Sequence, residues 1–179
     1  MSGDSVPFAL PLQRLATSAS ETTTLFSELR KPLLRYLVCL GLSADEAQDV
    51  VQEAFLSLHR HLSAGGSKQN IKSWLFRVAH NRARNQQNRY DRRFGKPLDD
   101  DADSISEEAT PEQAVLEREK FQRLSQAMSE LAETERECIL LRAEGLRYRE
   151  IGEVLGMPTS TVAETIERTI RNLAEKCNV

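Results

Sequence analysis

The chain has little of what marks a secreted, membrane-embedded or metal-built protein. Its three cysteines, Cys39, Cys138 and Cys177, are odd in number, widely spaced and without a CxxC pair. That excludes a disulfide framework and a paired-cysteine zinc site, and it leaves buried thiols in a reducing compartment as the expectation. No apolar run approaches the roughly 18 residues needed to span a bilayer. The opening segment, MSGDSVPFALPLQRLATSAS, lacks the basic start and long apolar centre of a signal peptide. A cytoplasmic chain with a loose arm over residues 1–21 is expected. Glycine and proline are sparse, and neither strand-like alternation nor an internal repeat is visible, so the fold expected is all-α. HExxH, P-loop and GxSxG patterns are missing as well. No catalytic residue, metal or cofactor is therefore assigned, and an enzyme is the most distant reading.

What the chain does have is charge, sorted along its length. Lys72 to Lys96 holds eight Lys/Arg against Asp91 alone, a net of +7, whereas Asp99 to Glu119 holds nine acids against Arg118, a net of −8. The sign changes at GKPLDDDADSISEEATPEQ, whose glycine, two prolines and clustered acids read as a flexible linker over 97–111. A plain solvating spacer has the same composition. Two small helical domains follow from this, one over 22–96 and one over 112–179.

In the first domain, SADEAQDVVQEAFLSLHRHL opens with Ser43 as N-cap and Glu46 three residues later, a capping box. Ala47, Val50, Val51, Ala54, Phe55, Leu58 and Leu62 recur at helical spacing and face a core. The opposite face carries Asp49, Gln52, Glu53, Leu56 and Arg60, and Leu25–Leu40 supply an earlier helix. His59 and His61 read as helix surface rather than as ligands. After the loop SAGGSKQ comes NIKSWLFRVAHNRARNQQNRYDRR, with Ile71, Trp74, Leu75 and Val78 as the buried stripe. Arg77, Asn81, Arg84 and Asn88 share another face, close to Trp74, Phe76 and Tyr90. Guanidinium groups hold phosphates, amides hydrogen-bond base edges and aromatics stack on unpaired bases, so this helix suits nucleic acid. A solvated basic face is the bland alternative.

In the second domain, a helix starting at Thr134 with Glu137 in its cap buries Ile139, Leu140 and Leu141 and ends at Gly145. Ile151 and Leu155 form the core face of a short helix stopped by Gly156, and Pro158 follows. A last helix buries Val162, Ile166 and Ile170 or Leu173. Helix, glycine-containing turn, helix is the helix-turn-helix pattern, with a plain helical hairpin as its alternative. Thr161 and Glu164 form a second capping box, turning that carboxylate to the helix's own N–H groups. From Thr161 to Asn172 the net charge is zero, Glu164 and Glu167 against Arg168 and Arg171. Phosphate attraction then falls to Arg147, Arg149 and Arg168, which makes this a weak reader of DNA alone.

Taken in this order, the segments resemble a bacterial RNA polymerase sigma factor of the extracytoplasmic-function (ECF) group of the sigma-70 family, over about Thr22 to Lys176. SADEAQDVVQEAFLSLHRHL looks like region 2.2, NIKSWLFRVAHNRARNQQNRYDRR like regions 2.3–2.4, and the C-terminal segment like region 4. The resemblance implies that Asp49, Gln52, Glu53, Leu56 and Arg60 dock on the clamp helices of the polymerase β′ subunit, with the β subunit as a further contact. Trp74, Arg77, His80, Asn81, Arg84, Asn85 and Asn88 would bind the −10 element as it melts. The loop from Leu62 to Asn70, with Asn81 nearby, would capture a flipped base. Arg147, Tyr148, Arg149, Ser160, Thr161, Glu164, Thr165 and Arg168 would face the −35 element. The linker would thread towards the RNA exit path, its acids imitating the charge of RNA. An anti-sigma factor is a further expected partner, the membrane is not, and the free protein is expected to be a monomer. Family recognition helices usually carry basic residues where this chain has Ala163, Thr165 and Ile170. A stand-alone helix-turn-helix regulator and a sigma-like protein that holds polymerase without reading a promoter remain as alternatives.

Overall fold

The computed structural model of the chain describes residues 9–94 and 122–177, with side chains for 22–87 and 122–177. The expected linker, 97–111, and the side chains of Asn88 and Tyr90 lie outside the described residues. Every regular element among the described residues is a helix, as the composition leads one to expect. The chain divides into two compact units, Met1–Arg92 and Arg93–Val179.

The first unit holds α1 (Ala9–Cys39), α2 (Ala44–Ser63) and α3 (Ile71–Phe94). Helix α1 begins at Ala9, inside the stretch expected to be a loose arm, and runs through Pro32. It ends before Gly41, whose φ of +97° turns the chain towards α2. The Ser43 capping box forms. The backbone N–H of Ser43 donates to Glu46 Oε2 at 3.0 Å and the N–H of Glu46 to Ser43 Oγ at 3.4 Å. A hydrogen bond from the Ser43 hydroxyl to the same carboxylate, assisted by the Gln86 amide, holds Glu46 below the usual range for a glutamate.

All seven apolar positions expected on the inner face of α2 are buried. Leu33, Tyr36 and Leu37 of α1 and Leu75, Phe76, Ala79 and Ala83 of α3 are buried as well. Burying each large side chain contributes about 1.5–3 kcal/mol. Phe26 packs edge-on to Phe55 at 4.9 Å, and Tyr36 tilts against Phe76 at 5.5 Å.

The buried stripe of α3 lies about one residue further along than the large apolar residues suggest. Ser73, Phe76, Ala79, His80 and Ala83 share it with Leu75, while Ile71, Trp74 and Val78 are only half-buried. Small residues set this phase: Ala79 and Ala83 are fully buried, and a pattern read from bulky residues passes over them.

The second unit holds α4 (122–129), α5 (Glu133–Ala143), α6 (Tyr148–Leu155) and α7 (Thr159–Cys177). Helix α5 starts one residue earlier than expected, and its cap is different. Glu135, not Glu137, reaches back, accepting from the Ala132 N–H at 3.2 Å. Glu137, Cys138 and Leu141 are buried, whereas Ile139 and Leu140 are half-buried. Gly145 has the expected left-handed φ, +83°, and two bonds close the helix end. The N–H of Gly145 donates to Arg142 O at 2.9 Å and that of Leu146 to Leu141 O at 3.2 Å. Both leucines are fully buried, the apolar contact that accompanies this termination. Of the three cysteines only Cys138 is buried; Cys39 is exposed and Cys177 half-buried. Burial, reinforced by the charges of Glu137 and Glu135, pushes the Cys138 thiol up to about 11.

Candidate nucleic-acid and docking surfaces

On α2, Asp49, Gln52, Glu53, Leu56 and Arg60 are all exposed, on the face turned from the core. Leu56 stands 54% exposed, a single apolar group among polar neighbours. One edge of this stripe is tied to α3. Arg82 Nη1 pairs with Glu53 Oε2, and Arg82 Nη2 donates to Ser57 Oγ at 3.2 Å. The sequence reading missed Arg82 and Ser57. The contact is long-range, and helical spacing relates only residues on one helix.

Helix α3 presents Arg77, Asn81 and Asn85 to solvent, with Arg84 and Trp74 half-buried beside them. This is an outward row of one cation and two amides next to an indole. His80 does not belong to it. At 6% exposure it sits in the core, with Nδ1 2.9 Å from the Tyr36 hydroxyl, so each buried polar end has a partner. The reason is position: His80 follows Phe76 by four residues and precedes Ala83 by three. Phe76 is fully buried as well, which removes it from the aromatics available for stacking. The side chain of Asn88 lies outside the described residues.

In the second unit, α6, a turn and α7 form the helix-turn-helix. Gly156 ends α6 with φ +69°, and the N–H of Met157 donates to Gly152 O at 3.0 Å. The turn closes so tightly over α6 that a Cβ at Gly152 would lie 2.6 Å from Met157 O. The sequence reading passed over Gly152, although a lone glycine inside a helical pattern is the available signal for close backbone approach. Ile151, Gly152 and Val154 are buried and Leu155 is half-buried, so Val154 takes the place expected for Leu155.

Helix α7 corrects several expectations. The Val162 N–H donates to Pro158 O at 3.1 Å and the helix starts at Thr159. Thr161 is therefore already helical, and the Thr161–Glu164 capping box does not form. The buried face is Val162, Thr165, Ile166 and Thr169. Thr165, at 7% exposure, cannot face DNA, because it lies three residues from Val162 on the core side. Ile170 is 53% exposed, and Leu173 is half-buried. The outward face carries Ser160, Thr161, Glu164, Glu167, Arg168 and Arg171.

The cations here are largely engaged. Arg168 Nη2 donates to Glu135 Oε1 at 2.9 Å, and Arg149 pairs with Glu153 at 3.6 Å. Arg147 is exposed at the start of α6, where its backbone N–H donates to Glu150 Oε2 at 2.7 Å. Tyr148 is half-buried, with the Arg142 guanidinium 5.4 Å above its ring. Among the described residues no cluster of ligating side chains suits a metal ion, and no helix is long and apolar enough to cross a membrane.

Comparison with known proteins agrees with this geometry. Residues 25–93 match the family model described as Sigma-70 region 2, and residues 121–173 the one described as Sigma-70, region 4. The RNA polymerase sigma-H factor of Pseudomonas aeruginosa is 34% identical over 137 residues, 70% of this chain and 69% of that one. The ECF RNA polymerase sigma-E factor of Escherichia coli K12 is 32% identical over 144 residues, 74% of each. Among solved structures, the sigma factor RpoE in complex with the anti-sigma factor NepR from Bartonella quintana superposes with a TM-score of 0.67. It is 21% identical and covers 87% of this chain and 98% of that one. CnrH in complex with the cytosolic domain of CnrY gives a TM-score of 0.63 at 22% identity, covering 93% of each. With both regions present in order and these relatives over two thirds of its length, the chain belongs to the ECF group of the sigma-70 family and is an RNA polymerase sigma factor.

Proposed function

We propose that the first unit carries the main grip on both polymerase and promoter, and that the second adds a weak, partly masked contact to the −35 element. The α2 stripe of Asp49, Gln52, Glu53, Leu56 and Arg60 docks on the β′ clamp helices. The α3 row of Arg77, Asn81 and Asn85, flanked by Trp74 and Arg84, holds the −10 strand as it opens. The exposed row on α3 carries the reading: it sets a phosphate-binding cation and two base-reading amides in line beside a half-exposed indole. No covalent bond is made or broken. Polymerase raises the effective concentration of two weak modules at the promoter, and unpaired bases are then stabilised on α3. Arg147, Arg149, Ser160, Thr161 and Arg168 approach the −35 element. The work takes place in the cytoplasm, the protein is a monomer when free, and an anti-sigma factor is a fitting regulator. One solved neighbour, the sigma factor RpoE, is described as bound to such a partner.

A second reading has its own observation. Glu164 and Glu167 stand exposed on α7 while Arg168 is paired with Glu135, which suits a protein that holds polymerase with little use of a −35 element. Run-off transcription with core polymerase on DNA that co-purifies with the complex separates the two. Initiation is expected, with Leu56→Ala weakening core binding about fivefold or more. An Arg77→Ala/Asn81→Ala double variant should keep core binding and lose opening. Core binding without any transcript would establish the second reading.

A further inference from the structure

We propose that His61 is the positioning residue that fixes Trp74 and the loop beside it in the arrangement that receives an unpaired base. This inference rests on the initiation reading and adds a residue to which that reading gives no role.

The observation is a closed set of contacts around one imidazole. Helix α2 ends with the Gly65 N–H donating to Leu62 O at 3.0 Å and the Gly66 N–H to His61 O at 2.8 Å, with Gly65 at φ +78°. In such an ending the residue at the Gly66 place usually packs a side chain on the residue at the His61 place. Here it has none, and a Cβ on Gly66 would fall within the His61 ring's van der Waals surface. The ring occupies that space. Its Nε2 lies 3.0 Å from Ser67 O, and because a carbonyl only accepts, Nε2 carries the proton and donates. One ring face lies against Trp74, with centroids 5.0 Å apart and planes inclined by 26°. Asn70, at φ +55°, closes the loop by accepting from the Trp74 N–H at 2.9 Å and the Ser73 hydroxyl at 3.0 Å.

The consequence for an incoming base is mechanical. Trp74 precedes Arg77 by three residues and Asn81 by seven, so its indole borders the exposed row. An indole that swings freely must be immobilised when a base stacks on it, and that ordering opposes the stacking gain. His61 backs the indole on one side and pins the loop through Ser67, so both are ordered before DNA arrives.

Trp74 is the sole tryptophan of the chain, so its emission reads this contact in the full-length protein without labels. His61→Ala should raise acrylamide quenching of Trp74 in the free protein. It should also lower promoter opening with core polymerase, read by permanganate reactivity, roughly three- to tenfold. Core binding and melting temperature should stay near wild type. His61→Phe keeps the stack and should recover most of the quenching protection. Gly66→Ala, which pushes the ring away without removing it, should resemble His61→Ala. If His61→Ala leaves either quenching or opening unchanged, the inference fails while the initiation reading stands. If the wild-type protein binds core and opens no promoter, both fail.

Discussion

Replacing Gly152 by alanine tests the helix-turn-helix geometry most directly, because two known effects oppose each other there. Alanine is favoured over glycine in a helix interior by about 1 kcal/mol, so an open site would be stabilised. This site is closed: the new Cβ would lie 2.6 Å from Met157 O, a backbone atom in the turn between α6 and α7. The turn must retreat by several tenths of an ångström, and it is held by the Met157–Gly152 hydrogen bond and by Gly156 in the left-handed region. Overpacking costs about 1–3 kcal/mol, and the strained hydrogen bond about 1 kcal/mol more. Less the helix gain, the net loss is about 1–3 kcal/mol, a fall of roughly 5–15 °C in the melting of a unit this small. Circular dichroism of the full chain would record the shift, and hydrogen exchange would assign it to α6 and α7. A melting temperature equal to or above wild type would refute the argument, showing that the turn does not close on Gly152.

Three further outcomes are expected. Thr169 is fully buried and its hydroxyl has no hydrogen-bond partner, so Thr169→Val should stabilise the second unit by about 1 kcal/mol, read as a higher melting temperature. Cys39 should react with a thiol reagent near neutral pH while Cys138 stays protected until unfolding. Because folding raises the Cys138 thiol from 9.0 to about 11, its share of stability is complete below pH 9 and is lost as pH rises through 11; Cys138→Ala should lessen that alkaline loss in a pH-dependent melt. Glu135→Gln keeps the acceptor for the Ala132 N–H but frees Arg168, and should tighten polymerase-dependent promoter binding about two- to fivefold at low salt; unchanged affinity would show that the pair does not compete with phosphate.

How much of this was legible in the sequence depends on what kind of interaction places each residue. Local signals carried well. The Ser43–Glu46 cap, the seven inner positions of α2, the Gly145 and Gly156 helix ends and the exposure of Asp49, Gln52, Glu53, Leu56 and Arg60 all follow from spacing within one helix. Phase errors came where small or polar residues face the core. Ala79 and Ala83 set the register of α3, and Thr165 and Thr169 that of α7, so His80 and Thr165 were assigned to DNA though both are buried. A threonine methyl packs nearly as valine does, and its hydroxyl disguises that in a hydropathy pattern. Contacts between distant segments, Arg82 with Glu53, Arg168 with Glu135 and His61 with Trp74, carry no mark in the sequence.

Those pairings also bear on why binding should depend on polymerase. Of the three arginines expected to draw DNA to the second unit, Arg149 and Arg168 each have a carboxylate partner, and Glu164 and Glu167 stand on the approaching face. An exposed pair contributes at most about 1 kcal/mol, so a phosphate can displace either glutamate, but each exchange replaces one contact with another and leaves little net gain. Each phosphate neutralised also changes the salt dependence by about 0.9 in the log–log slope. With Arg147 and Arg171 as the other exposed arginines of α6, its N-cap and α7, the slope of the helix-turn-helix should lie nearer 2 than the values of strong operator binders. On α3, in the proposed reading, base stacking would contribute about 1–3 kcal/mol per base and be insensitive to those glutamates, yet it would exist only once strands separate. The stronger site therefore has no substrate on closed duplex, and the site that meets closed duplex is weak. In the proposed reading neither begins alone, and the exposed α2 stripe, which contacts polymerase there and not DNA, lets a larger enzyme hold both in place until the strands part.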